Sequence, residues 1–196
     1  MAVLNIARWC VLMLLVLIAG SGGRLSVPVG KSYEVVAPLL AVGIGPTYAC
    51  KLIDLSYPPA GCGGVLLGRV DISQVPGVFR YQNGTMSTPP MRLVGVWDGQ
   101  ALTLTQRPRP ASYTATALDT PCAVTSPAIE PELLVREQRF VQDWDALKQH
   151  GVVLLSVGPC GDALDLFVAV ADTQTINYLT TTYGPVGVFG WLSPVA

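Results

Sequence analysis

The sequence is poor in the side chains that do chemistry. It holds one histidine, His150, among 196 residues, and only 13% of the chain is charged. A serine or cysteine hydrolase needs a base beside its nucleophile. His150 instead falls at the end of a helical pattern, where a histidine is favoured by the helix dipole alone. Neither a G-x-S-x-G elbow nor an H-E-x-x-H helix occurs. Val29-Gly30-Lys31-Ser32 ends like a phosphate loop, but Leu25 stands where that motif has its first glycine. Positive charge is short as well. A net charge of -1 argues against non-specific nucleic-acid binding, which needs a basic face to displace counterions from phosphates. No two cysteines have C-x-x-C spacing, so the ligand pattern of a zinc site is missing. Neither a metal nor a cofactor is expected. Long apolar runs are absent after residue 24.

What is present begins at the N-terminus. Met1 to Arg8 carries one positive charge, Arg8, and no acid. Trp9 to Ala19 is an almost unbroken apolar run, followed by Gly20, Ser21, Gly22 and Gly23. A basic start, a short apolar run and a small-residue exit define a secretory signal peptide. Ala19 and Ser21 sit two apart, as a signal peptidase prefers, which places cleavage at or near Ser21. The rival is an uncleaved anchor over residues 9–20. A membrane-spanning helix needs about 20 apolar residues, and reaching that length here means including Arg8 and Asn5. Residues 1–23 are therefore read as a signal peptide or membrane anchor, the only contact with membrane that the sequence implies.

Cys10 belongs to that segment, leaving Cys50, Cys62, Cys122 and Cys160. An even number in an exported chain reads as two disulfides, and four cysteines allow three pairings. Cys50–Cys62 with Cys122–Cys160 is favoured, because each pair then lies within one half of the chain. Loop entropy would make them worth roughly 3 and 4 kcal/mol.

The two halves differ in pattern. Residues 29–107 read as an all-β module. Tyr33–Val36 and Leu39–Val42 flank Pro38, Thr47–Leu55 alternates, and Val65–Ile72 resumes after a Pro/Gly-rich loop over residues 57–64. Met91–Trp97 and Ala101–Thr105 flank Asp98-Gly99 and read as a hairpin closed by a type I′ turn. Short strands with this much glycine point to a small barrel of the oligonucleotide/oligosaccharide-binding (OB) type, or to a sandwich. Residues 108–128 have linker composition.

Residues 129–196 switch to an α+β pattern. Pro131 opens a helix whose one face holds Leu133, Phe140, Trp144 and Leu147, closed at Gly151. Strands over Val152–Val157 and Ala163–Ala171 follow, with a turn from Gly158 to Asp162. A helix capped by Asp172 or Thr173 and a strand over Val186–Leu192 complete a two-layer helix-strand-strand-helix-strand module. The fold class is thus mainly β plus α+β.

Two sets of residues are candidates for function. The acid pairs Asp143/Asp145 and Asp162/Asp165 could divide acid and base roles. However, residues two apart on a helix point apart, and solvated acids are the plainer reading. Tyr57, Phe79, Tyr81 and Trp97 lie near loops of the β half and could stack on a ligand, or fill its core instead. Asn83-Gly84-Thr85 has the N-glycosylation pattern.

Cys50, Tyr57-Pro58-Pro59, Cys62-Gly63-Gly64, Gly68, Gly95, Trp97-Asp98-Gly99 and Leu102-Thr103-Leu104-Thr105 together resemble a pattern of uncharacterised exported proteins of actinobacteria and other high-GC bacteria. The closing Tyr183-Gly184-Pro185 and Leu192-Ser193-Pro194-Val195 are similar to the ends of the same proteins. Three lysines against nine arginines suit such a genome. The resemblance implies export and brings no activity, cofactor or catalytic residue. The expectation is an exported, non-enzymatic binding or interaction protein of the cell envelope, whose partner is an envelope protein or a glycan. The alternative is a carboxylate-using envelope hydrolase acting on a glycan. A third reading, an anchored sensor or assembly factor, differs mainly in whether the signal is kept.

Overall fold

A computed structural model describes residues 31–54, 61–112 and 131–195. Residues 1–23, read above as a signal peptide or anchor, lie outside the described residues, as do Tyr57, Cys122 and most of the stretch 108–128.

The first half forms most of a large sheet. Its strands are β1 (Ser32–Ala37), β2 (Leu39–Val42), β3 (Thr47–Asp54), β4 (Gly61–Gly68), β5 (Phe79–Arg80), β6 (Thr85–Ser87), β7 (Met91–Trp97), β8 (Ala101–Leu104) and β9 (Arg109–Pro110). A 3₁₀ turn over Ile72–Gln74 interrupts them, with Asp71 accepting from the Ser73 amide at its start. The second half runs α1 (Pro131–Gln142), α2 (Trp144–Gln149), β10 (Leu154–Cys160), β11 (Ala163–Val168), α3 (Thr173–Tyr183), β12 (Val186–Gly190) and β13 (Ser193–Pro194).

The strand path of the large sheet is β13-β1-β7-β8-β4-β3-β2-β6-β5, with β9 beside the start of β7. Its two ends do not meet, so the sheet is open where sequence reasoning expected barrel closure as one option. Strand β1 shows why it folds this way. Tyr33, Val35 and Ala37 are buried while the residues between them are not. They face Gly95, Leu93 and Met91 of β7 across the ladder. Pro38 cannot donate to a ladder, and the break there lets β1 and β2 pair with different neighbours.

Three local expectations in the first half need correction. Cys62, Gly63 and Gly64 belong to β4 rather than to a loop, paired with Ile53, Leu52 and Cys50 of β3. Side chains of any size are excluded at Gly64, where a Cβ would drive into the Ala49 carbonyl. Nor does β4 continue to Ile72, which is buried in the 3₁₀ turn instead. The Asp98-Gly99 hairpin forms, but not as type I′, which needs positive φ at both central residues. Only Gly99 has it, at 98°, and the Asp98 carboxylate accepts the amides of Gln100 and Ala101 at 2.9 and 2.8 Å.

The single helix expected after Pro131 is two. At Asp143 ψ is 4°, well away from helical values, and α1 ends there. The Asp143 carboxylate is held from outside the helix, by the Tyr183 hydroxyl at 3.0 Å. In the following hairpin β10 runs on through Pro159 to Cys160, so the turn is Gly161-Asp162 alone. Proline is tolerated there because β10 is an edge strand.

The small sheet has order β10-β11-β12, with β11 and β12 parallel. Period-two alternation along β11 divides its residues between two cores. Leu164, Leu166 and Val168 are fully buried with Leu133, Phe140, Leu147 and Leu179 of the helices. Phe167, with Leu155 and Ala169, packs against the core of the large sheet. The small sheet is therefore sandwiched between its helices and the large sheet. Trp191 and Leu192 also join the large-sheet core, and β13 pairs with β1 through Tyr33–Pro194 and Glu34–Ser193. Residues of the second half thus join the large-sheet core and, through β13, the large sheet itself.

A disulfide joins Cys50 to Cys62, with Cα atoms 5.4 Å apart. Cys160 is also disulfide-bonded, to a partner outside the described residues.

Candidate ligand groove on the large sheet

Residues directly opposite each other in an antiparallel pair share a face. Register therefore places Phe79, Ser87, Leu40, Tyr48 and Leu66 in one row across β5, β6, β2, β3 and β4. This is the face away from the core residues Leu39, Ala49 and Val65. The Tyr81 hydroxyl lies 3.3 Å from the Ser87 hydroxyl, which lays that ring along the same row.

Two hollows open on this row. One, about 260 Å³, is walled by Leu40, Ala41, Val42, Pro46, Tyr48 and Cys62. The other, about 210 Å³, lies where β4 meets α2 and β10, and is walled by Tyr48, Cys62, Leu66, Gln100, Trp144 and Lys148 among others. Tyr48 and Cys62 belong to both walls, so the hollows adjoin along the row, together termed the groove, with Cys62 of the disulfide between them. Trp144 and Lys148 reach it from one face of α2, four residues apart. Trp144 is 37% exposed, whereas Leu147 between them is in the core.

Among the residues expected to stack on a ligand, Phe79 and Tyr81 are exposed at the outer end of the row. Trp97 is only 2% exposed and fills the core opposite Leu102, so it presents no face to a ligand. Tyr57 lies outside the described residues. Sequence reasoning missed Tyr48, Gln100, Trp144 and Lys148. Trp144 carried a signal, but it read as core because its spacing from Phe140 and Leu147 fits one continuous helix.

Asp143 is bound to Tyr183 and lies 3.7 Å from the Arg139 Nε, and among the described residues neither Asp145 nor Asp162 lines the groove. Burial, with the Asp143 hydrogen bond and charge, pushes the Tyr183 hydroxyl well above its ordinary value. Asp165 is buried, its Oδ2 has no hydrogen-bond partner, and burial raises its pKa. His150 packs on Tyr178 with ring centroids 5.3 Å apart, at the C-cap of α2. Among the described residues no cluster of His, Cys, Asp and Glu could hold a metal ion. No helix among them is long and apolar enough to cross a membrane. The chain matches no protein family, no curated protein and no solved structure.

Proposed function

We propose that the protein is an exported, non-enzymatic binding protein of the cell envelope that holds a glycan chain in the groove on the outer face of its large sheet. The observation that carries this is the groove itself: aromatic rings of Tyr48 and Trp144, with Tyr81 beyond them, along an apolar floor with Gln100 and Lys148 as polar groups. Flat aromatic faces suit the apolar faces of sugar rings, and amide and ammonium donors suit their hydroxyls. Disulfide bonding at Cys50, Cys62 and Cys160 fits an oxidising compartment. The basic-apolar-small pattern of residues 1–23 and the resemblance to exported high-GC proteins point the same way. The hydrolase alternative rests on Asp165 alone, a buried carboxylate of raised pKa that does not line the groove. No carboxylate lines the groove, where acid–base glycan cleavage needs two.

Intrinsic fluorescence tests the reading. In the protein without residues 1–23, and so without Trp9, Trp97 and Trp191 are buried and Trp144 is the tryptophan of the groove, so quenching or a blue shift on titration reports the groove. N-acetylglucosamine oligosaccharides are the probe. Saturable change that Trp144→Ala abolishes and Tyr48→Ala weakens is expected. A flat titration would sink the glycan reading, and recovery of a protein bound through the same face would replace it.

A further inference from the structure

A second cleft, about 590 Å³, lies away from the groove, between the 3₁₀ turn and the segment that follows β8. Val70, Val75, Pro76, Leu104 and Pro108 give it apolar walls, and Arg69 and Arg107 both line it. Both arginines are exposed, and neither has an ion-pair or hydrogen-bond partner among the described residues. The one acid of the cleft, Asp71, is occupied: its Oδ1 accepts the Ser73 amide at 2.9 Å, and Arg80 is near enough to act on its charge. The cleft therefore keeps an excess of positive charge.

Arg69 is also the only non-glycine among the described residues with positive φ, at 60°. Left-handed backbone costs an L-residue on the order of 1–2 kcal/mol and is ordinarily met by glycine. Retaining a strained arginine in a chain with 20 glycines argues that the guanidinium is used. Arg69 directly follows β4, and the cleft it lines is shared with Arg107 from the segment after β8.

We infer that Arg69 and Arg107 form an oxyanion site, which takes a phosphate monoester or a carboxylate attached to an apolar body. Guanidinium forks match the paired oxygens of either group, and the proline, valine and leucine walls receive the body. This site is distinct from the groove and does not depend on the glycan reading.

Phenyl phosphate and benzoate are the probes, each titrated into the oxidised full-length mature protein by calorimetry and by amide chemical-shift mapping. At least one is expected to bind, with shifts confined to residues 69–76 and 104–108 and affinity falling as salt is raised. Whichever binds more tightly identifies the oxyanion. Arg107→Ala and Arg69→Gly are each expected to weaken binding about tenfold or more, the worth of a charge-assisted bidentate contact. Arg69→Gly also separates binding from folding. Glycine relieves the backbone, so the melting temperature should hold or rise while affinity falls. Absence of binding by both probes up to about 10 mM, the weakest range that a specific contact would occupy, overturns the inference. So does binding that both arginine variants leave intact.

Discussion

Lys51 is a lysine buried in the core region. It points from β3 between the two sheets, 8% exposed, with its Nζ 2.9 Å from the centroid of the Phe167 ring. The ring face offers some compensation for lost hydration, but burial still pulls the ammonium down from 10.5 to about 8. The folded state thus disfavours the charged form. Below about pH 8 both states are protonated and the folded one bears the full penalty. As pH rises from about 8 to 10.5, the unfolded chain holds the proton that the folded chain has released, so stability climbs. Lys51→Met keeps the packing and removes the charge. It should raise stability at pH 7 by about 1 kcal/mol and abolish the climb, as read from urea midpoints across pH. Asp165 works in the opposite sense on pH. Its raised pKa means that stability is lost as pH rises out of the ordinary carboxylate range.

β3 pairs with β4 from Tyr48–Leu66 to Asp54–Gly61, with small residues at Ala49, Cys50, Gly63 and Gly64. Gly64 lies against the Ala49 carbonyl, and β3 is bulged between Cys50 and Leu52. Gly64→Ala would push the two strands apart beside the disulfide that closes them. A loss of about 1–3 kcal/mol is expected in denaturant titration, the usual range for overpacking where the backbone has to move. The adjacent groove should lose its shape with it, so the Trp144 response to oligosaccharide should weaken in the same variant.

At the scale of the whole molecule, the last residues join the ends of the fold. β13 pairs with β1, and the Val195 amide donates to the Ser32 carbonyl at 2.9 Å. Termination after Leu192 removes these backbone bonds while leaving Trp191 and Leu192 in the core. The chain should remain folded but lose about 1–3 kcal/mol, with faster amide exchange along Ser32–Glu34. Termination after Gly190 also strips the two core side chains, and should expose enough apolar surface to unfold the protein or make it aggregate. If both truncations prove equally mild, the large-sheet core does not depend on the C-terminal segment.

Much of the local structure was legible in the sequence, because it depends on neighbours along the chain. Alternation at Tyr33, Val35 and Ala37, the stop at Pro38, the Asp98-Gly99 reversal and the Asp172 cap each follow from period or from side-chain chemistry within a few residues. The change from strand pattern to an α+β order was legible for the same reason, whereas Cys50–Cys62 was only the favoured one of the pairings that the sequence left open. Tertiary structure decided the rest. Glycines read as loop became strand in β4 because β3 lay close enough to require them. A helix that periodicity ran through Trp144 broke at Asp143, where the carboxylate is held by Tyr183, 40 residues away along the chain. That break contributes Trp144 to the groove rather than to the core. Groove and arginine cleft alike are assembled from segments far apart in sequence, and no local pattern encodes which of them meet.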